Sequence, residues 1–78
     1  MYRYFKSLAE DYILRIDVSE PDFDTDLEIH YLNGRTGWHL IATGDTKGLL
    51  ESVLNFNNEI EITQEEVDAL LMAMELKK

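Results

Sequence analysis

Residues 21 to 30 read PDFDTDLEIH and set a carboxylate at every second position: Asp22, Asp24, Asp26 and Glu28. Such a row could close around a calcium ion, present itself to something basic, or form the wet side of a strand. A calcium-binding EF-hand loop takes acids at positions 1, 3 and 5, a glycine at 6 and a bidentate glutamate at 12. Counted from Asp22, position 6 is Leu27 and position 12 is Asn33. The two residues that let the loop turn and close are both missing. In an extended chain successive side chains alternate between faces. The four acids then line one side, while Phe23, Leu27 and Ile29 point inward.

His30 and His39 are the other pair with potential chemistry. They fall on one face of a hairpin, where a cross-strand pair could begin a metal site, but the sequence supplies no assured third ligand. There is no cysteine, and hence no thiolate nucleophile, thiolate metal site or disulfide. The chain also lacks a nucleophile elbow, a phosphate-cradling glycine loop and an H-E-x-x-H pair. The expectation is a protein without enzymatic activity, cofactor or metal.

Charge carries more information. Sixteen acids against seven bases give a formal charge of −9 on 78 residues. From Ile16 to Gly34 there are six acids, as Asp17 and Glu20 extend the row, and no Lys or Arg. From Gly48 to Leu76 there are seven more, again without a base. Such a surface repels nucleic acid and anionic membranes and attracts basic proteins. Asp17, Glu20, Asp22, Asp24, Asp26 and Glu28 are the candidate partner-binding residues. The competing account is that the charge serves solubility alone.

A chain of this length makes one domain, residues 1–78, with a modest core. No apolar run approaches the ~20 residues of a membrane helix, and no signal-peptide core opens the chain. A cytoplasmic location is therefore expected. The first segment reads two ways. Phe5, Leu8, Ala9, Tyr12, Ile13 and Ile16 fit helical spacing, whereas Tyr12, Leu14, Ile16 and Val18 alternate. The β-branched and aromatic content of 12–18 favours a strand, with Tyr2 to Lys6 as its hairpin partner across a turn at Ser7 to Asp11.

The second hairpin alternates Leu27, Ile29 and Tyr31, turns at Asn33-Gly34, and returns through Trp38, Leu40 and Ala42. Those six apolar residues are expected to share the buried face. Glu28, His30, His39 and Thr43 fall on the outer one, with Leu32 and Ile41. After Gly44 the period changes. Asp45 or Thr46 can cap a helix carrying Leu49, Leu50, Val53 and Leu54 and ending near Asn57-Asn58. Glu59 to Ile62 is short and extended. Thr63 and Glu66 then form a capping box ahead of Val67, Leu70, Leu71 and Met74, and Lys77-Lys78 suit the helix end. The expected fold is α+β: a four-stranded antiparallel sheet of two hairpins, followed by two helices packed on one face. Ile13, Leu32 and Ile41 would then form an apolar patch on the uncovered face.

Tyr4-Phe5-Lys6-Ser7 with Tyr12-Ile13-Leu14, and Ile62-Thr63-Gln64-Glu65-Glu66, resemble segments of small proteins encoded in phages and prophages of Firmicutes. The resemblance covers under a third of the chain and leaves out the acidic row. It implies a setting in which small acidic inhibitors of host defence occur, among them prophage-encoded inhibitors of CRISPR nucleases. That is a similarity of class and carries no binding residue across. Together with the charge map it implies a DNA-mimicking inhibitor that masks a basic nucleic-acid-binding enzyme, touching no nucleic acid or membrane itself. Strand residues on one side advance ~6.6–6.8 Å per step, while phosphates on one DNA strand advance ~3.4 Å along the axis. The row is therefore a sparse copy of DNA at best. The alternative is a small phage structural or assembly protein, homo-oligomeric through the outer sheet face. A monomer fits the first reading and a defined oligomer the second.

Overall fold

The computed structural model describes residues 1–20, 23–33, 37–55 and 58–76, the last three of them by backbone alone. The first segment resolves as a hairpin, β1 (Tyr2–Ser7) and β2 (Tyr12–Asp17), in which Phe5 faces Leu14 and Arg3 faces Ile16. Ser7 is buried, and its Oγ accepts hydrogen bonds from the N–H groups of Ala9 and Glu10 at 3.2 and 3.0 Å, which closes the turn. The helical spacing of the same residues loses because both strands bury β-branched and aromatic side chains on pleated surfaces.

Next come β3 (Asp24–Tyr31), β4 (His39–Asp45), α1 (Thr46–Asn55), β5 (Glu59–Ile62) and α2 (Gln64–Leu76). The sheet is antiparallel throughout, in the order β4-β3-β2-β1-β5. The expected four strands are therefore five. Glu59 to Ile62 lies along the open edge of β1, with Ile62 opposite Tyr4 and Glu59 opposite Ser7. An extended segment beside an open edge satisfies its backbone groups there. Arg3 reinforces the seam by donating to Glu61 from Nε and Nη2 at 2.8 and 2.6 Å.

The helices do not share a face, which corrects the expected layering. Phe5, Leu14, Ile16 and Ile29 cluster with Val53, Leu49 and Leu50 of α1. Tyr4, Ile13 and Ile62 cluster with Val67, Leu70 and Leu71 of α2. Adjacent residues such as Tyr4 and Phe5, or Ile13 and Leu14, point to opposite sides of a strand, so α1 and α2 cover opposite faces. The reason lies in the composition of β1 and β2. Both are apolar on both sides, and each side needs a cover. Ile13 is fully buried under α2, and Leu32 is half-buried in the same cluster. Of the expected exposed patch, only Ile41 remains exposed.

Local chemistry sets the helix starts. Asp45 caps α1, its carboxylate accepting from the N–H groups of Lys47 and Gly48 at 3.2 and 2.9 Å. Thr46 is buried, and its Oγ1 donates toward the carbonyls of Phe23 and Glu20 at 2.7 and 3.2 Å. It thereby ties the approach to β3 onto the start of α1. The capping box of α2 is present. The Glu66 N–H donates to Thr63 Oγ1 at 3.2 Å, and the Thr63 N–H donates to Glu66 Oε1 at 3.1 Å. Val67 is buried, while Leu70 and Leu71 are half-buried. The expected Asn33-Gly34 turn and the Lys77-Lys78 end fall on or beside residues outside the described ones, as does the Met74 side chain.

The second hairpin departs from simple alternation. Its register runs Leu27 opposite Ala42 but Glu28 opposite Leu40, so one residue of β4, Ile41, is extra. A bulge of this kind switches the face of everything beyond it. Ala42 stays on the α1 side with Leu27. Leu40 moves to the face of Glu28 and is 59% exposed, and Trp38 joins the α2 cluster. His30 and His39 consequently lie on opposite faces, since His39 pairs with Ile29.

Candidate functional site: the acidic end of the α2 face

α2 covers only part of its face of the sheet. The register sets Tyr2 beside Asp17 on the first two strands, Arg15 beside Glu28, Asp26 beside Thr43 and Asp24 beside Asp45. These residues share the face of Tyr4, beyond the α2 cluster. Tyr2, Asp17, Asp24, Thr25, Asp26 and Glu28 line an open concavity of about 220 Å³ there. A second hollow of about 240 Å³ adjoins it and is lined by Asp17, Ser19, Glu20, Phe23, Asp24 and Thr25. Strand alternation thus gathers Asp17, Asp24 and Asp26, with Glu20 at the margin. Asp22 lies outside the described residues.

The six candidate acids do not form a uniform row. Glu28 accepts two hydrogen bonds from Arg15, from Nε at 3.1 Å and Nη2 at 3.3 Å, and both side chains are largely buried, at 22% and 20% exposure. The Arg15 guanidinium lies over the Tyr2 ring at 4.5 Å and over the Trp38 ring at 4.2 Å. Glu28 was expected to face solvent without a base to pair with. It serves instead as the counter-ion of a stacked arginine brought in by the β2–β3 register. Asp26 is exposed and accepts from Thr43 Oγ1 at 3.0 Å. Asp24 is exposed and stands opposite Asp45, a like-charge cross-strand pair that costs stability. Phe23, expected to point inward, is 65% exposed at the mouth of the second hollow.

Asp17 is held below the usual carboxylate range, chiefly by the backbone N–H of Ser19 at 2.9 Å, then by the Ser19 hydroxyl and the chain's amino terminus. The Met1 ammonium also donates to Ser19 Oγ. The concavity therefore presents carboxylates to water with an aromatic ring at one wall, an arrangement that accepts ammonium or guanidinium groups. General acid catalysis requires a carboxyl group withdrawn from water, and Asp24 and Asp26 are exposed. The row runs extended through β3 and does not curl round a central point. Among the described residues no cluster of three or more His, Asp or Glu side chains is arranged to hold a metal ion.

Tyr2, Arg15 and Asp45 belong to the site and were absent from the candidates. Alternation along β1 and β2 carries the signal for Tyr2 and Arg15, since Tyr2, Tyr4 and Arg15 share a face once the hairpin register is known. His30 has a structural role. It is buried, with Nε2 accepting from the Gly37 N–H at 3.2 Å, Nδ1 within 3.1 Å of the Tyr31 carbonyl, and its ring edge-on to Trp38 at 5.2 Å. Gly37 at φ +83° makes that approach possible, because a side chain there would strain the backbone.

Comparison with protein-family models, curated proteins and solved structures finds no match to the chain. Among the described residues no helix is long and apolar enough to cross a membrane.

Proposed function

We propose that this chain is a small acidic binding protein without catalytic activity, which masks a basic, nucleic-acid-binding partner in the manner of phage-encoded anti-defence inhibitors. The observation that carries the reading is the gathering of Asp17, Asp24 and Asp26 on an open concavity with the Tyr2 ring. Asp24 stands opposite Asp45 with no basic neighbour across the strand pair. Exposed like charges on one face lower stability, and a cationic partner would relieve that cost at Asp24 and Asp26. Enzymes that bind nucleic acid present Arg and Lys arranged for phosphates and base edges. Fixed carboxylates on a sheet occupy such a site without the ordering cost of a flexible acidic tail.

The test is affinity capture from a bacterial lysate with wild type and with the Asp24→Asn/Asp26→Asn variant, at low and physiological salt. The reading expects a nucleic-acid-binding protein held by wild type, lost by the variant, and competed away by DNA. Equal capture by both chains would show that the charge serves solubility alone. A defined homo-oligomer that captures nothing would favour the structural or assembly role.

A further inference from the structure

Resting on that reading, we infer that the outer edge of β4 is a strand-addition site, and that the partner offers an extended segment with basic side chains along one side. β4 has seven residues and is the last strand of the sheet, hydrogen-bonded to β3 alone among the described residues. In an antiparallel pair, alternate residues of an edge strand turn their N–H and C=O groups away from the neighbour, ready for another chain. Natural edge strands are blunted by lysine, proline, brevity or a bulge; β4 carries one bulge, at Ile41, and from Ala42 to Asp45 its register is regular. From His39 to Asp45 there is no lysine and no proline. The opposite edge, β5, has four residues, two of them glutamates.

Side chains along β4 define the occupant. Leu40 and Ile41 are 59% and 50% exposed, side by side at the bulge. They give an added strand an apolar anchor at one end. Toward the other end, Thr43 and Asp45 lie on the α2 face, backed one strand further in by Asp26 and Asp24. A lysine or arginine on the added strand, pointing to that face, is long enough to reach over β4 to the β3 carboxylates. A second copy of this chain fits poorly. Pairing two β4 edges would join chains that each carry −9, and that repulsion opposes it. The charge therefore selects a basic strand over self-association. Main-chain hydrogen bonds supply affinity in this mode, and alternate side chains supply selectivity.

The probe is a capped seven-residue peptide, leucine at one end and lysine alternating with threonine thereafter, titrated into isotope-labelled protein and followed by amide shifts and hydrogen exchange. A matched peptide carries N-methyl groups on alternate residues and cannot donate along that edge. Binding should perturb and protect the β4 amides, and N-methylation on the pairing side should weaken it by about tenfold or more. Equal binding of the two peptides, or shifts confined to the concavity, would overturn the strand-addition inference while leaving a charge-only contact intact. Undiminished binding of the unmethylated peptide to Asp24→Asn/Asp26→Asn would instead remove the acidic face from the account. A concentration-dependent dimer protected at β4 would overturn the choice of a basic strand.

Discussion

Removing Arg15 should reveal how much of the sheet's open half-face depends on one stacked cation. Arg15→Ala deletes a forked hydrogen bond to Glu28 and two ring contacts, at 4.5 Å on Tyr2 and 4.2 Å on Trp38. Each ring contact contributes about 0.5–1 kcal/mol when partly desolvated. The ion pair, one-fifth exposed at both ends, adds about 1 kcal/mol after solvent screening. The expected cost is about 2–3 kcal/mol, or about 10–20 °C in Tm for a domain of this size. Arg15→Lys keeps the charge but loses the planar fork and the stacking, and should recover less than half. Urea titration of Arg15→Ala, Glu28→Ala and the double variant isolates the pair. The coupling should be about 1 kcal/mol. A loss below about 0.5 kcal/mol for Arg15→Ala, or no coupling, would refute the arrangement of Tyr2, Arg15, Trp38 and Glu28 and return Glu28 to the acidic row.

Three further outcomes follow from burial, capping and titration. Ile13→Ala, at a fully buried site under α2, should cost about 2–5 kcal/mol in urea unfolding, and Leu70→Ala, half-buried, distinctly less; equal costs would misplace α2. Asp45→Ala removes the α1 cap yet also a like charge opposite Asp24, so its loss should fall below the usual ~1 kcal/mol of a cap, whereas Thr63→Ala should show it in full. Hydrogen bonds from Arg3 hold the Glu61 carboxyl below the usual carboxylate range. A carboxyl lowered on folding stabilises above its unfolded value of about 4.3, and the gain is lost as pH falls through the folded value. The stability gap between wild type and Glu61→Gln should therefore shrink from pH 7 toward pH 3, and a gap independent of pH would contradict the pairing.

Much of the fold was legible in local patterns. The alternation of residues 12–18, the period change after Gly44, and the Thr63–Glu66 box each act over a few residues, and each has its counterpart in the structure. The misplaced features are those set by partners distant in sequence. β5 is too short to declare itself and exists because β1 leaves an edge open. The opposite placement of the helices is written in the apolar pairs Tyr4-Phe5 and Ile13-Leu14, which show two buried faces where one was assumed. A single bulge at Ile41 then reversed Leu40 and Trp38. In the candidate site, alternation located Asp24 and Asp26. The pairing of Glu28 with Arg15 depends on a cross-strand register that residues 21–30 do not contain.

We propose that Asp24 and Asp26 serve a basic partner beyond the general charge of the chain. This is tested most directly by association rates with the captured partner at low and physiological salt. Three proteins are compared: wild type, Asp24→Asn/Asp26→Asn, and a control, Glu51→Gln/Glu65→Gln, that removes the same charge from exposed helix positions. Charges close to the contact steer association more than remote ones, which physiological salt screens within ~8 Å whereas ~0.01 M salt leaves them felt over ~30 Å. The β3 variant should associate about tenfold more slowly at low salt and with a flatter salt dependence, while the control should slow distinctly less at low salt and match wild type at physiological salt. Equal slowing in the two variants, or none in either, would contradict the proposal.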